Sequence, residues 1–352
     1  MKKIKTAIIG FGLSGSSFHA PFIENLDEFE LSAIVVRHVE AVREVRPYVP
    51  VYQNLDLLFT NEPDIELIVI STPTPTHYEF AKQAILAGKH VIVEKPFVVS
   101  SEEGAKLIEL AKEYNVVLSV YQNRRWDGDF LTVQDLVQSG KLGKVHTIEM
   151  NWDRYRKEVR DRWKELDTPG SGNFYDIAPH MLDQAVLLCG MPHSIYGNLQ
   201  KQRDGAQSTD YFHVVLEYDE GSVMIRGGTL VAAETPRFVL HGTDGSYILY
   251  GLDPQESQLV KGISPTEEDY GKPDETRSSV LTTADGTTEA IDVQKGNYKA
   301  YFQQIAQAIR NGGQIPVTAE EGLQVIRLIE AGTKSSTEKK IVSLDKASND
   351  LH

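Results

Sequence analysis

The chain has 352 residues, of which 41% are hydrophobic and 24% are charged, and its formal net charge is −14. This length predicts two domains, because single hydrophobic cores stop growing at about 250–300 residues. The negative charge disfavours nucleic-acid binding, which depends on lysine and arginine neutralising phosphates. The single cysteine, Cys189, excludes an internal disulfide framework and a cysteine-based metal cluster, and we expect it to be buried and unreactive.

Membrane and export signals are also missing from the sequence. It has no run of about 18 uncharged apolar residues, as a membrane-spanning helix requires. Its basic first residues precede an apolar run of only about five residues, which is too short for the core of a signal peptide. We therefore expect a cytoplasmic protein with no membrane partner.

Apolar runs alternate with amphipathic segments over the first third of the chain. Strands are predicted at Ile4–Ile9, Leu31–Val36, Glu66–Ser71 and in HVIVEKP and VVLSVYQNRR, and helices in HAPFIENL, from Val39, and in EFAKQAILAG and SSEEGAKLIELAKEY. Near-continuous apolar strands are typical of a buried parallel sheet. Right-handed βαβ connections make such a sheet doubly wound, with a ligand crevice at the carboxyl ends of its strands. Residues 1–122 are therefore predicted to form an α/β domain.

The pattern changes after that domain. Six strands are predicted, in VHTIEMNWDRY, HSIYGNLQKQ, YFHVVLEY, SVMIRGGTL, RFVLHG and SYILYG, and short Asp/Gly turns predict a mainly antiparallel sheet. Residues 252–296 are predicted to form loops or short irregular strands. Two helices follow, in YKAYFQQIAQAIRNGG and TAEEGLQVIRLIEAGTKSS, the second begun by a capping box of Thr318 and Glu321. Residues 123–352 are predicted to form an α+β domain.

Three glycines, Gly10, Gly12 and Gly15, follow the first strand and precede a helix in the pattern Gly-x-Gly-x-x-Gly. The first permits a tight turn, the second lets the backbone approach a pyrophosphate, and the third lets helix and strand pack closely. Phosphates then lie at a helix N-terminus, where unpaired N–H groups favour anions. The turn predicts dinucleotide binding; a purely structural glycine-rich turn is the alternative.

The residue that distinguishes NAD from NADP is expected at the end of the second strand. In NAD-binding proteins an acidic residue at this position binds the ribose hydroxyls. This chain has Arg37 and His38 there and no acidic residue. A guanidinium can bind a 2′-phosphate with two hydrogen bonds, which favours NADP. NAD, with Arg37 a solvated surface residue, is the alternative.

Glu94, Lys95 and Pro96 lie at the carboxyl end of a predicted strand, the edge of the sheet at which doubly wound enzymes bind their ligands. The proline holds the backbone of Lys95 extended and allows a cis bond. A lysine at this edge can contact a substrate or a cofactor. The alternative is a surface lysine at a strand end.

Asp176 and His180 are four residues apart in an apolar helical segment, near its N-terminus and on one face. A carboxylate can orient an imidazole and stabilise its cation while the histidine exchanges a proton with a substrate oxygen. A helix-surface pair or half of a metal site is the alternative, but no further residue has the spacing to complete a metal site, so no metal is expected. A polar and cationic segment, Tyr121–Trp126, is expected at the same crevice, or else is a charged linker.

These motifs, in this order, resemble the Gfo/Idh/MocA family of nicotinamide-dependent oxidoreductases over essentially the whole chain. The resemblance is carried by GFGLSGSSFHAP, STPTPTHYEFAKQAILAGKHVIVEKP, SVYQNRRWDGDF, GSGNFYDIAPHMLDQ, HGTDGSY and PVTAEEGLQVIRLIEA. It implies an N-terminal Rossmann domain and a C-terminal α+β domain whose open sheet serves substrate binding and oligomer contacts. Within the family, FGLSGSSFHAPF and YQNRRWDGDFLTV most resemble the branch that contains an NADP-dependent scyllo-inositol dehydrogenase.

The resemblance also implies roles for individual residues. The family's catalytic residues correspond to Lys95, Asp176 and His180. We expect the cofactor to be bound by Gly10, Phe11, Gly12, Leu13, Arg37, His38, Thr72, Pro73, His77, Glu94, Lys95 and Asn123. We expect the substrate to be bound by Lys95, Asn123, Arg125, Arg154, Tyr155, Arg162, Trp163, Asp176 and His180.

The expected reaction is hydride transfer between NADP(H) and a secondary hydroxyl of a cyclic polyol such as scyllo-inositol, by a homodimer or homotetramer. His180 would take the hydroxyl proton, and Lys95 would stabilise the developing negative charge. Two alternatives stay open: a sugar, a sugar phosphate or an imine as substrate, and a cofactor-sensing protein without turnover. The complete Lys, Asp and His set argues against the sensor.

Overall fold

The computed structural model describes residues 2–274 and 278–344. Within this part of the chain the residues form two compact units. The first contains residues 2–126, 254–272 and 297–323; the second contains residues 127–253, 273–296 and 324–344. The predicted division of the chain into domains of residues 1–122 and 123–352 stays a prediction.

Residues 2–126 contain a parallel six-stranded sheet with the strand order β3-β2-β1-β4-β5-β6. Its strands are β1 (Ile4–Ile9), β2 (Phe29–Val35), β3 (Val51–Tyr52), β4 (Leu67–Ile70), β5 (His90–Glu94) and β6 (Leu118–Tyr121). Its helices are α1 (Ala20–Asn25), α2 (Val39–Val45), α3 (Leu55–Asn61), α4 (His77–Leu86) and α5 (Ser101–Glu113). The predicted doubly wound sheet is confirmed.

The order of the strands explains where a ligand can bind. Chain connections run outward in both directions from β1 and β4, which are neighbours in the sheet. The glycine turn follows β1 and leads through a π-helical segment, Ser14–His19, into α1. Doubly wound sheets bind dinucleotides at this switch point. All four residues of β4 are buried, as its apolar sequence requires.

The remaining elements include a second sheet of nine strands. In chain order they are α6 (Gly128–Ser139), β7 (Val145–Asn151), α7 (Gly172–Cys189), β8 (Ser194–Gln200), β9 (Tyr211–Tyr218), β10 (Gly221–Gly228), β11 (Phe238–Gly242), β12 (Gly245–Leu249), α8 (Gln255–Val260), β13 (Ser279–Thr283), β14 (Thr288–Ala290), α9 (Lys299–Asn311), α10 (Ala319–Glu338) and β15 (Val342–Ser343). The strand order is β14-β13-β12-β11-β7-β10-β9-β8-β15.

This second sheet is mainly antiparallel, as predicted, with β7 and β10 paired in parallel. Along β9, Phe212, Val214 and Leu216 are buried and alternate with partly buried residues, so one face of the strand forms the core. α7 packs on β9 and β10, and the rings of Phe174 and Phe212 lie 5.5 Å apart. This packing fixes the helix that carries Asp176 and His180.

Two local expectations are wrong. Residues 252–296 include a helix, α8, as well as the short strands β13 and β14; a six-residue helix in a polar segment shows too little apolar periodicity to be predicted. Cys189 is exposed rather than buried, because the continuous burial along α7 ends at Ala185 and Cys189 is the last residue of the helix. The capping box at α10 is confirmed, since Thr318 and Glu321 each accept a hydrogen bond from the other's backbone N–H.

The helices and the metal-ligating side chains of residues 2–274 and 278–344 bear on two kinds of partner, a membrane and a metal ion. Over these residues, no helix is both long enough and apolar enough to cross a membrane. Nor do three or more histidine, cysteine or acidic side chains in this part of the chain form a group that could hold a metal ion.

Candidate functional site

The glycine turn has the space that a dinucleotide needs. Gly10 has a φ of +85°, and a Cβ there would lie 2.5 Å from the carbonyl oxygen of Ser71. A Cβ at Gly15 would lie 2.2 Å from the carbonyl oxygen of Gly10, so the third glycine makes the close packing of the turn possible. Among the described residues, and apart from its chain neighbours, a Cβ at Gly12 would have no heavy atom within 4 Å. The backbone at Gly12 is therefore open to an approaching pyrophosphate, and the turn fits a dinucleotide.

Residues around the turn divide into packed and exposed ones. Phe11 packs against the buried cluster that contains Ile34 and Val51, whereas Leu13 is exposed. Arg37 and His38 lie exposed in a bend between β2 and α2, next in the sheet to the strand that precedes the turn. This position leaves the Arg37 guanidinium available to a group on the ribose of a dinucleotide.

Glu94 connects the glycine turn to the segment that carries Lys95. The buried Glu94 carboxylate accepts hydrogen bonds from the Ser14 hydroxyl and, at 3.0 Å, from the backbone N–H of Lys95, and His19 Nε2 lies 2.9 Å from it. Burial raises the pKa of Glu94, but the hydrogen bonds from His19 and Ser14 and the nearby positive charges outweigh burial and lower this pKa to about 2. Glu94 is therefore an ionised, buried anchor for Lys95, which precedes the cis bond to Pro96.

His77 holds two loops of the same crevice together. Its Nε2 lies 2.8 Å from the carbonyl oxygen of Thr72, and its Nδ1 lies 3.0 Å from that of Pro96. The ring is fully buried, and burial lowers its pKa. Thr72 and Thr76 share a hydrogen bond of 2.7 Å between their hydroxyls, which shapes the loop around Pro73. His77 thus fixes the loop around Pro73 against the segment that contains Pro96.

The segment after β6 forms a 3₁₀ turn, Asn123–Trp126, in which Asn123 is buried. The guanidinium of Arg125 is 2.8 Å from the carboxylate of Glu321 and donates to the carbonyl oxygen of Pro316. Arg124 pairs with Glu256 at 2.5 Å. These arginines therefore anchor the turn to α8 and to the start of α10, all within the first unit.

In the second unit, α7 carries Asp176 and His180. His180 is only 3% exposed, and its ring is stacked on that of Trp152 with centroids 6.0 Å apart. Asp176 Oδ1 accepts a hydrogen bond from Lys164 Nζ at 2.5 Å. Lys164 is not among the predicted site residues, although it closely follows two other cationic residues in the sequence, Arg160 and Arg162.

A small polar cavity, partly open to solvent, lies beside Asp176. Its lining residues are Arg154, Arg162, Lys164, Glu165, Gly172, Asn173, Asp176, Arg203, Thr209, Asp210 and Thr229. The structure thus brings together three of the residues predicted to bind substrate, Arg154, Arg162 and Asp176. Tyr155 is exposed, and Trp163 is half-buried, with its ring 5.9 Å from Lys164 Nζ.

A switch-point glycine turn on a doubly wound sheet defines the class of Rossmann-fold dinucleotide-binding proteins. Two family models match this chain: "Oxidoreductase family, NAD-binding Rossmann fold" over residues 4–122, and "Oxidoreductase family, C-terminal alpha/beta domain" over residues 134–344. The chain belongs to the Gfo/Idh/MocA oxidoreductase family, and it is an oxidoreductase with an NAD(P)-binding Rossmann domain.

Relatives and solved structures agree with this membership. The chain is 43% identical over 345 residues to scyllo-inositol 2-dehydrogenase (NADP(+)) IolW of Bacillus subtilis (strain 168), covering 97% of this chain and 96% of that protein. It is 44% identical over 344 residues to the uncharacterized oxidoreductase YdgJ of Escherichia coli (strain K12), covering 97% and 99%. The crystal structure of the oxidoreductase yvaA from Bacillus subtilis matches with a TM-score of 0.94 and 42% identity, over 98% of this chain and 99% of that one.

Proposed function

We propose that this oxidoreductase transfers a hydride between NADP(H) and a secondary hydroxyl of a cyclic polyol such as scyllo-inositol. The observation that carries the proposal is the buried His180, on a helix that also presents Asp176, in a chain whose glycine turn is open at Gly12. The likeness to IolW supports the polyol and NADP. A sugar or sugar derivative is the second candidate, because a pyranose offers a similar ring of hydroxyls.

The preference for NADP is proposed on the residues after β2. No carboxylate occupies positions 36–38, and the exposed Arg37 can donate two hydrogen bonds to a 2′-phosphate. NAD is the alternative cofactor. We propose that Gly10, Phe11, Gly12, Leu13, Arg37, His38, Thr72, Pro73, His77, Glu94, Lys95 and Asn123 form the cofactor site.

The proposed chemistry assigns one task to each catalytic residue. A bound nicotinamide supplies or accepts the hydride. His180 accepts the hydroxyl proton during oxidation, and Asp176 orients the imidazole and stabilises its cation. Lys95 donates a hydrogen bond to the reacting oxygen and so stabilises its developing negative charge.

Further substrate contacts are proposed for Asn123, Arg125, Arg154, Tyr155, Arg162 and Trp163. We further propose that residues 1–122 form the cofactor-binding domain, that residues 123–352 form the domain that binds substrate and makes oligomer contacts, and that the protein acts as a cytoplasmic homodimer or homotetramer.

A panel of inositols and aldoses, each offered with NADP and with NAD, tests the proposal by the absorbance of the reduced nicotinamide. We expect reduction with at least one cyclic polyol and a higher kcat/KM with NADP. Replacing Arg37 with serine is expected to reduce this preference by about tenfold, the typical value of hydrogen bonds to a charged group. Tight cofactor binding with no reduction by any polyol or aldose would instead support a cofactor-sensing protein.

A further inference from the structure

The cavity beside Asp176 contains one cation that forms no ion pair with a carboxylate of residues 2–274 and 278–344. Arg203 pairs with Glu165 at 2.6 Å and with Asp210 at 3.0 Å, and Lys164 pairs with Asp176. Arg162 shares Glu165 at 3.2 Å. The three acidic side chains that line the cavity are thus already occupied by other cations.

Arg154 is the exception in this arrangement. Among residues 2–274 and 278–344, no carboxylate lies within 4.0 Å of its guanidinium; instead, its Nη2 donates to the neutral amide oxygen of Asn173 at 2.8 Å. Burial lowers the pKa of Arg154, which means that the surroundings disfavour its charge. The charges of Asp176 and Glu165 favour the Arg154 cation only from beyond 4.0 Å, and they do not outweigh burial. A bound anion would offset the remaining cost of burying this cation.

Asn173 supplies a second, independent indication. It is 8% exposed, and because an arginine can only donate, the bond from Arg154 fixes the Asn173 oxygen toward the guanidinium. Its Nδ2 is then a buried donor that has no acceptor in the described part of the chain, and the same holds for Nε of Arg154. Both side chains line the cavity, so two buried donors without acceptors lie in its wall.

Other groups close to Arg154 also contribute positive electrostatic potential. Burial lowers the pKa of Arg156. The positive charges of the nearby Arg154, Arg160 and Arg162 lower this pKa further. Cations that repel one another are concentrated here, although the formal net charge of the whole chain is −14. The N-terminus of the 18-residue α7 adds its positive dipole end at Gly172.

We propose that this cavity binds an oxyanion group, a carboxylate or a phosphate, carried by the polyol or sugar substrate. The inference rests on the proposed function, because it names the class of substrate that reaches Asp176. Arg154 and the Asn173 amide donate hydrogen bonds to the oxyanion, and the hydroxyl to be oxidised lies elsewhere on the same ring. An acidic polyol or sugar is therefore a better substrate than its neutral counterpart, and neutral ring polyols such as scyllo-inositol are still turned over.

Matched substrate pairs test this proposal kinetically. D-glucose is compared with D-glucuronate, and myo-inositol with myo-inositol 1-phosphate, by kcat/KM with NADP. We expect the acidic member of at least one pair to be favoured by about tenfold, the typical value of hydrogen bonds to a charged group. The advantage should decrease with added salt. The glucuronate pair reports a carboxylate site and the phosphate pair a phosphate site. Equal or better use of the neutral member in both pairs would overturn the proposal.

Two variants locate the effect, and a third is the control. Arg154→Gln should abolish the advantage of the acidic member. Asn173→Asp should also abolish this advantage, because the new carboxylate becomes the counter-ion of Arg154. The thermal unfolding midpoint of this variant should not fall below that of the wild type. Lys157→Gln removes an exposed cation of the same segment and should keep the advantage. An advantage that persists in Arg154→Gln and in Asn173→Asp would contradict the assignment.

A binding measurement separates this inference from the proposed function. If no polyol is oxidised, the proposed function fails, but the cavity can still be tested with glucuronate and inorganic phosphate. Either anion should raise the thermal unfolding midpoint of the wild type above that in sodium chloride of equal ionic strength, because it binds the folded state. Arg154→Gln should lose this shift. No shift in the wild type would overturn the inference.

Discussion

The buried charges of the glycine turn and of the cationic cavity differ in how they are compensated. At the turn, the Glu94 carboxylate contacts Ser14, His19 and the backbone of Lys95. In the cavity, the Asn173 amide and the Arg154 guanidinium each retain a buried donor without an acceptor among the described residues. The Glu94 charge is thus compensated by its own neighbours, although His19 Nδ1 and the Ser71 hydroxyl have no hydrogen-bond partner among the described residues. For the charge of Arg154, we propose that a ligand supplies the compensation.

This difference matches two kinds of recognition. A cofactor is common to many enzymes of one fold, and its site can be built from backbone and from an internally balanced network. A substrate differs from one relative to the next, and its recognition depends on side chains that have unsatisfied hydrogen-bonding capacity before it binds. Variants that act on one region and not on the other therefore test the comparison.

The largest effect is expected from two of the three proposed catalytic residues. Lys95→Ala and His180→Ala should each lower kcat by about 10²–10⁴-fold, the usual contribution of a positioned acid, base or charge. Steady-state kinetics measures the loss, and fluorescence titration with NADPH checks that the cofactor still binds. Lys157→Ala and His146→Ala, both at exposed positions, are the matched controls. Near-normal turnover in either active-site variant would remove that residue from the proposed mechanism.

The next effect concerns the Glu94 network. Because the pKa of Glu94 is lowered to about 2 in the folded protein, its ionisation stabilises the fold above the unfolded-state pKa of 4.5. This contribution is lost as the pH falls from about 4.5 toward 2, and it amounts to about 3 kcal/mol. Urea unfolding at a series of pH values should show this decline in the wild type and a weaker one in Glu94→Gln. The exposed Glu113→Gln should behave as wild type. Identical pH dependences for Glu94→Gln and wild type would show that the network does not hold the charge.

The smallest effect separates folding from binding at the glycine turn. Gly15→Ala places a Cβ 2.2 Å from a backbone oxygen and should lower the free energy of unfolding by about 1–3 kcal/mol. Gly12→Ala meets no protein atom, so its stability should stay within about 0.5 kcal/mol of wild type. Its NADPH affinity should nevertheless fall, because the methyl group occupies the approach of the pyrophosphate. Unchanged affinity in Gly12→Ala would place the cofactor elsewhere.

Features that depend on neighbours in sequence were predictable. The alternation of strands and helices, the glycine turn and the capping box of Thr318 and Glu321 all have short-range patterns, and the structure confirms them. The two-residue strand β3 and the short helix α8 were not predicted, because elements of this length contain too few residues to show a period.

Contacts between distant residues could not be predicted in the same way. Glu94 and His19 are 75 residues apart, and Arg203 and Glu165 are 38 apart. The contact between Lys164 and Asp176 depends on how the loop before α7 folds back, which no local pattern specifies. The sequence indicated candidate catalytic residues such as Lys95, Asp176 and His180. It did not indicate which cation and which carboxylate in the cavity form ion pairs, because that depends on the tertiary structure.

The most direct test of the central claim follows the hydrogen atom itself. The purified protein is incubated with NADP and with scyllo-inositol that carries deuterium on its ring carbons, and the nicotinamide product is examined by mass spectrometry. Hydride transfer from a secondary alcohol carbon predicts reduced NADP that carries one deuterium from the substrate. Reduced NADP without deuterium, or no reduction with this polyol or any other ring polyol or sugar, would contradict the account.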